Sequence, residues 1–408
     1  MTGPADGSGP NAAPDAPAFD VPVAELRRRR GTKWTHYGPD VLAAWVADMD
    51  FPPAPPVIET LAEALALGDF GYGTDEEIRA LAEAFSARSA ARTGWAPDPD
   101  RILVLADVMQ GVVLAIEAFS QPGDPIGVQT PIYPPFLRAV ASTGRRLVEL
   151  PVVRGPEGRF GHDPAGFEAL AASGARLALL CSPHNPTGRV WHQGELHVLA
   201  ELAVERDLVV VADEIHADLA YPGVSHLPFA ALGPEVEART VTVTSASKAF
   251  NLAGLRCAVA AVGSADLLRR FSARPAATRG GVGVLGVRAS LAAWSRGDQW
   301  LEDVVAHLDG QRRLLGDLLA DRLPQVSWTR PEATYLAWLD CRALGLEDCW
   351  RSFLDGGVAL SDGRHFGADG TGHVRLNFAT SPAVLTEVVD RMANAVRRAG
   401  GRPRGAPI

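Results

Sequence analysis

The 408-residue sequence predicts an α/β protein: a large domain with a mainly parallel sheet flanked by helices, and a smaller α+β domain. Three observations lead there. Short, continuously apolar runs alternate with segments of helical spacing, as in sheets covered on both faces. Polar residues gather where those runs end, the place at which open α/β sheets bind ligands. A long helical pattern then sets in near residue 300, beyond the last of the apolar runs of the large domain.

In chain order, residues 1–18 are mostly Pro, Gly, Ala and Asp, and a disordered leader is expected there. Arg27 to Arg30 form a basic run expected at a helix end or on an exposed face. Residues 102–105 read as a strand, and a helix is expected to begin at Asp107, Val108 and Met109, with helical spacing over 112–119. The runs 177–181, 208–212, 241–244 and 258–262 read as buried parallel strands, with a helix over 196–205 between the first two. The helix over 300–323 is expected to lead into the small domain, where 373–378 form a short strand. The expected division assigns 55–295 to the large domain, 19–54 and 296–400 to the small one, and 401–408 to a flexible tail.

Composition narrows the function. Hydrophobic residues at 47% and charged residues at 21% are ordinary for a globular chain. A net charge of -9 argues against broad nucleic-acid binding, which needs a basic surface. No apolar run approaches the roughly 20 residues of a membrane span, and no basic-then-apolar leader opens the chain. Cys181, Cys257, Cys341 and Cys349 lack metal or redox spacing. They are expected as small buried hydrophobes in a reducing cytoplasm, and no metal site is expected.

The chemistry centres on Lys248, within Thr244-Ser245-Ala246-Ser247-Lys248-Ala249-Phe250-Asn251-Leu252-Ala253-Gly254-Leu255-Arg256. An amine among small hydroxyls, with a fixed cation eight positions on, suits an aldehyde cofactor that carries a phosphate. The amine forms a Schiff base; Ser245, Ser247 and the Arg256 fork offer phosphate donors. The amides of Val108 and Met109, at the expected helix start, would complete the cup. Each of these polar residues could also be ordinary surface.

Asp213 ends the apolar run 209–212. A carboxylate there is costly unless paired; a protonated ring nitrogen would pair it, and capping a following helix is the alternative. Asn185, in Ser182-Pro183-His184-Asn185-Pro186-Thr187-Gly188, projects from a turn and could donate to a ring oxygen, or be only part of the turn. Tyr133, framed by prolines, could stack on a ring, hydrogen-bond near it, or be a buried core residue. Arg375, in otherwise apolar company, could clamp a substrate carboxylate or form a structural salt bridge.

Together these segments resemble the class I/II aminotransferase-like, fold-type I pyridoxal-phosphate (PLP) enzymes. Asn185-Pro186-Thr187-Gly188, Asp213-Glu214-Ile215-His216, Ser245-Ala246-Ser247-Lys248 and Arg375-Leu376-Asn377-Phe378 follow in that order. The chain is similar, more narrowly, to the MalY/PatB branch of cystathionine β-lyases. That likeness rests on Trp45-Val46-Ala47-Asp48-Met49-Asp50-Phe51, Phe70-Gly71-Tyr72-Gly73, Lys248-Ala249-Phe250-Asn251-Leu252-Ala253-Gly254-Leu255 and the segment from Pro331 to Asp340. It runs from about residue 30 to 395.

The resemblance implies PLP as cofactor, with Lys248 as its covalent attachment and proton shuttle. Asp213 pairs the ring nitrogen, Asn185 touches the ring oxygen, and Tyr133 covers the ring. His216 stands where many aminotransferases have Tyr. Tyr72 matches a tyrosine that reaches the phosphate of a neighbouring subunit, which implies a homodimer with shared sites. Arg375 holds the substrate α-carboxylate. One departure is Asp107-Val108-Met109, where the branch usually carries Gly-Val-Val: a carboxylate beside a phosphate is unfavourable unless it points away or caps its helix. The implied activity is cleavage of cystathionine or S-substituted cysteines to thiol, pyruvate and ammonia. An aminotransferase uses the same residues, and a regulatory binding role is a third possibility.

Overall fold

The computed structural model describes residues 19–273 and 280–400. The expected leader and tail lie outside the described residues. Strands are numbered in chain order. Eight form one sheet: β2 (Ile102–Leu105), β3 (Pro125–Thr130), β4 (Arg146–Arg154), β5 (Phe160–His162), β6 (Leu177–Cys181), β7 (Val209–Asp213), β8 (Thr240–Thr244) and β9 (Ala258–Val262), in the spatial order β2-β9-β8-β7-β6-β3-β4-β5. Four more, β10 (Ser327–Trp328), β11 (Leu336–Asp340), β13 (Ser361–Asp362) and β14 (His373–Asn377), form an antiparallel sheet in the order β10-β11-β14-β13. β1 (Leu42–Ala43) and β12 (Val358–Ala359) pair in parallel, which ties the chain start to its C-terminal third.

The large sheet has the predicted two covered faces. Along β6, Leu177, Leu179 and Cys181 enter one apolar cluster while Ala178 and Leu180 enter another, and β7 divides in the same way. That is the period-two alternation of a strand buried on both sides. Each fully buried Val or Leu contributes roughly 1.5–3 kcal/mol. The helix Val108–Phe119 packs on one face, and Gln193–Glu205 on the other. Gly111 lets the former come close: a Cβ there would lie 2.9 Å from Val243 Cγ1.

One expectation is corrected. The run 258–262 is not a parallel strand: β9 is antiparallel to both β8 and β2. The segment that joins β8 to β9 carries only the short helices Ala246–Ala249 and Ala253–Leu255. It therefore folds back as a turn instead of crossing the sheet, as a parallel connection requires. The strand at 208–212 is shifted by one residue, so Asp213 is its last member. The long helix spans Asp298–Arg322 and packs against Pro382–Gly400 beside the small sheet. Arg27 caps the helix Val23–Leu26, a helix end as expected. Among the described residues no helix is long and apolar enough to cross a membrane.

Candidate active site

The parallel strands β6 and β7, and β8 beside them, end at one place. Cys181, Asn185, Asp213, His216, Ser245, Ser247 and Lys248 line a cavity of about 360 Å³ there. Asp107, Val108, Met109, Tyr133 and Arg256 line it as well. Eleven of the expected site residues are thus brought together around that space: Val108, Met109, Tyr133, Asn185, Asp213, His216, Ser245, Ser247, Lys248 and Arg256 line it, and Arg375 reaches it through Asn185.

Lys248 lies on the helix Ala246–Ala249, whose N-cap is Ser245. The Ser245 hydroxyl accepts from Ser247 N at 3.0 Å and donates to Cys257 O at 2.5 Å, which locks the turn. The Lys248 amine donates to Ala47 O at 2.8 Å. Its side chain keeps some accessible surface because it faces the cavity, but protein encloses the amine. That enclosure, aided by the Arg375 charge and opposed by Asp48 and Asp213, lowers its pKa from the usual lysine range.

Asp213 is 5% exposed, and its Oδ1 accepts from Ile215 N at 3.0 Å. No cation lies within ion-pair distance of it among the described residues. Burial pushes its pKa up to about 7, although the Ile215 amide and Lys248 pull it down. A carboxyl whose folded pKa exceeds its unfolded value of 3.8 holds its proton more tightly when folded. Its stabilising contribution is complete below the unfolded value and is lost as pH rises through about 7. A shift of this size corresponds to about 4 kcal/mol. The ligand-free chain is therefore expected to lose roughly 5 °C in Tm between pH 4 and pH 8 relative to Asp213→Asn, given a typical unfolding entropy per residue. Parallel pH–Tm curves for the two chains would contradict this.

Asn185 projects from the turn after β6, and its Oδ1 accepts from Arg375 Nη1 at 2.9 Å. The turn is closed by Gly188 N donating to His184 O at 2.7 Å and by His184 Nδ1 and Thr187 Oγ1 at 2.8 Å. Gly188 has φ +69°, and a Cβ there would lie 2.3 Å from Pro331 Cβ. Gly188→Ala is expected to cost about 2–4 kcal/mol from the left-handed backbone and the clash together. Urea denaturation reads this directly; an unchanged midpoint would contradict it.

Arg375, on β14, is 4% exposed. Its Nη2 donates to Trp45 O and Ser361 Oγ, both at 3.1 Å. No carboxylate lies within ion-pair distance of it among the described residues, so no structural salt bridge accounts for it. Burial lowers its pKa to about 10, its Nε has no partner among the described residues, and its guanidinium lies 5.1 Å from the Phe366 ring centroid. Such a buried cation is left ready for an anion. His216 is fully enclosed; burial, with the Lys248 and Arg375 charges, drops its pKa to about 3, so its ring is neutral. Its Nδ1 also has no partner among the described residues, and its ring meets Tyr335 edge-on at 6.3 Å. Tyr133 starts the helix Pro134–Ser142; it is 36% exposed, so it is not a core residue, and the protein around its hydroxyl raises the pKa.

The Asp107 departure has a local answer. Asp107 is the N-cap of Val108–Phe119, accepting from Gln110 N at 2.7 Å, and it forms an ion pair with Arg256. Arg256 adopts φ 55°, a left-handed conformation. Tyr72 is not brought to this cavity. It lies between the helices Pro55–Leu67 and Asp75–Thr93, fully exposed.

Sequence reasoning missed how residues 45–51 are held. The Ala47 carbonyl accepts from Lys248 Nζ and from Tyr335 OH at 2.7 Å. Asn377 Nδ2 donates to Val46 O and Asp48 O at 2.6 and 2.7 Å. Asn251 accepts from Met49 N at 2.9 Å and donates to Met49 O and Phe51 O. Of this strap, Ala47 lines the cavity. The polar side chains Asn251 and Asn377 within apolar segments were the available signal.

The fold is that of the fold-type I PLP enzymes: it superposes on cystalysin from Treponema denticola, a structure described as containing pyridoxal 5'-phosphate, with a TM-score of 0.86, 29% identity, and coverage of 94% of this chain and 98% of that one. The chain belongs to the aminotransferase class I and II family, whose model matches residues 46–392. Cystathionine beta-lyase PatB of Bacillus subtilis is 35% identical across 90% of this chain and 97% of its own. A Mycobacterium leprae relative, named provisionally as a cystathionine beta-lyase, is 39% identical across 93% and 98%.

Proposed function

We propose that the chain is a PLP-dependent carbon–sulfur β-lyase, cleaving cystathionine or S-substituted cysteines to a thiol, pyruvate and ammonia. One observation carries the reading: a buried lysine amine, a buried carboxyl with no cation in ion-pair distance among the described residues, and a buried arginine with no anion there meet around one cavity. Cystathionine β-lyase relatives at 35% and 39% identity support it. The residues present fit the cofactor, because a cationic ring nitrogen would complete Asp213 and a substrate carboxylate would complete Arg375.

Bound PLP supplies an electron sink that acidifies the substrate α-proton and lets a β-substituent leave. Asp213, Asn185, His216 and Tyr133 would hold its ring. Ser245, Ser247, Arg256 and the amides of Val108 and Met109 would hold its phosphate, with Tyr72 contributed across a homodimer. Lys248 provides the covalent attachment, and its lowered pKa favours the neutral amine needed to take a proton. Arg375 seats the α-carboxylate, turning the α-carbon toward Lys248. The Ala47 carbonyl orients the Lys248 amine.

The homodimer is supported by an apolar surface beside Tyr72: Ile58, Leu65, Leu67 and Phe70 are all exposed. We take residues 55–295 as the large domain and 19–54 with 296–400 as the small one, a division that the β1–β12 pairing supports. The four cysteines are free and buried, which supports a reducing, cytoplasmic setting.

The test follows thiol, pyruvate and ammonia release from a panel of S-substituted cysteines, with and without a keto acid. A lyase needs no keto acid. Consumption of amino acid only when a keto acid is present would favour an aminotransferase instead.

A further inference from the structure

The cavity around Lys248 continues into a second, of about 410 Å³. Ala47, Tyr133, Pro135 and Lys248 line both; Asp213 lines only the first and Arg375 only the second. Lys248 and Tyr133 thus stand at the junction. A substrate whose carboxylate meets Arg375 sits at the second cavity, which leaves that space beside it for a side chain.

The walls of that cavity are aromatic. Tyr37, Trp45, Trp350 and Phe366 line it. They are held in place: Trp45 Nε1 donates to Lys33 O at 3.1 Å, Trp350 Nε1 donates to Leu360 O at 2.9 Å, and Phe366 packs on Trp338 at 5.1 Å. Fixed ring faces favour a flat occupant over a flexible alkyl chain.

Arg138 lines the same cavity. It lies on the helix that Tyr133 starts, near enough for its charge to act on the Tyr133 hydroxyl. Arg138 is exposed and makes no hydrogen bond or ion pair within the described residues. The acidic wall residue Asp362 is already paired, its carboxylate accepting from Arg364 Nε and Nη2 at 2.9 and 2.6 Å. His365, also on the wall, is largely exposed. Besides the Lys248 amine, the cavity therefore presents two guanidinium cations, Arg375 and Arg138, that lack a carboxylate partner among the described residues.

We infer that the second cavity seats the substituent of the leaving thiol and selects a flat aromatic group that ends in a carboxylate, with Arg138 as the specificity-determining cation. The inference rests on the β-lyase reading and adds the class of leaving group to it. The Arg138 fork matches a carboxylate, and a filled cavity strips water from the pair.

The test compares S-(4-carboxybenzyl)-L-cysteine with S-benzyl-L-cysteine and S-propyl-L-cysteine, on the wild-type holoenzyme and on Arg138→Gln. Wild type is expected to favour the carboxybenzyl over the benzyl substrate by about 5- to 10-fold in kcat/KM, the range for a partly desolvated charge pair. It should also favour benzyl over propyl. In Arg138→Gln the carboxylate preference is expected to collapse toward parity. The corresponding ratios of Kd among the three substrates are measured on Lys248→Ala loaded with PLP, with and without Arg138→Gln. Equal values for carboxybenzyl and benzyl in wild type, a preference for propyl, or a ratio untouched by Arg138→Gln would overturn the inference. Failure of every substrate to release thiol would overturn the lyase reading alone, and the Kd ratios would still decide the selectivity of the cavity.

Discussion

Lys248→Ala is expected to lower kcat for thiol release by roughly 10⁴-fold, the upper end of what one positioned proton-transfer group contributes. Its fold should survive. The amine's recorded hydrogen bond goes to Ala47 O, which still accepts from Tyr335 OH at 2.7 Å after the amine is gone. Because burial disfavours the charged amine, removing it relieves a cost in the folded state. Compared without cofactor, the variant should therefore match or exceed wild type in Tm, while with cofactor it loses turnover. Added ethylamine should restore part of the rate by entering the vacated space. A variant that kept more than about a tenth of wild-type kcat would remove Lys248 from the proton-transfer role, since such a group contributes at least about 10²-fold.

Arg375→Ala is expected to reduce kcat/KM by roughly 10²–10⁴-fold, because loss of one partner of a buried ion pair costs about 3–5 kcal/mol. The loss should fall mainly on KM if the guanidinium binds the α-carboxylate equally well throughout the reaction. Truncation also leaves Asn185 Oδ1, Trp45 O and Ser361 Oγ without this donor, so some stability is lost as well. Arg375→Lys separates the two effects. It keeps the charge but not the two-pronged geometry, and should recover Tm more fully than KM. If KM were unchanged in both variants, the α-carboxylate would be seated elsewhere.

Much of this site is legible in the sequence. Asp213 and Asn185 follow apolar runs, and the polar residues after a buried strand gather at that end of the sheet. Lys248 was marked by its hydroxyl neighbours, and Arg375 by its apolar company within β14. The direction of β9 was not legible, because an apolar run looks the same in either orientation. The ion pair between Arg256 and Asp107 was also hidden. It joins two segments distant in sequence, and only the fold brings them to one corner. The role of Ala47 left no trace, since it acts through a carbonyl that every residue carries. The motif around it was visible, while its clamps, Asn251, Tyr335 and Asn377, come from three other parts of the chain. The second cavity escaped for the same reason: Tyr37, Arg138, Trp350 and Phe366 share no motif.

The central claim is that Lys248 returns its proton in a reaction that expels sulfur and regenerates the site without an acceptor. The most direct measurement counts thiols released per active site from L-cystathionine by the holoenzyme in the absence of any keto acid. The predicted result is many thiols per site, with pyruvate and ammonia formed in equal amounts. Consumption that stops at one amino acid per site, leaves the cofactor aminated and resumes only when a keto acid is added would contradict it.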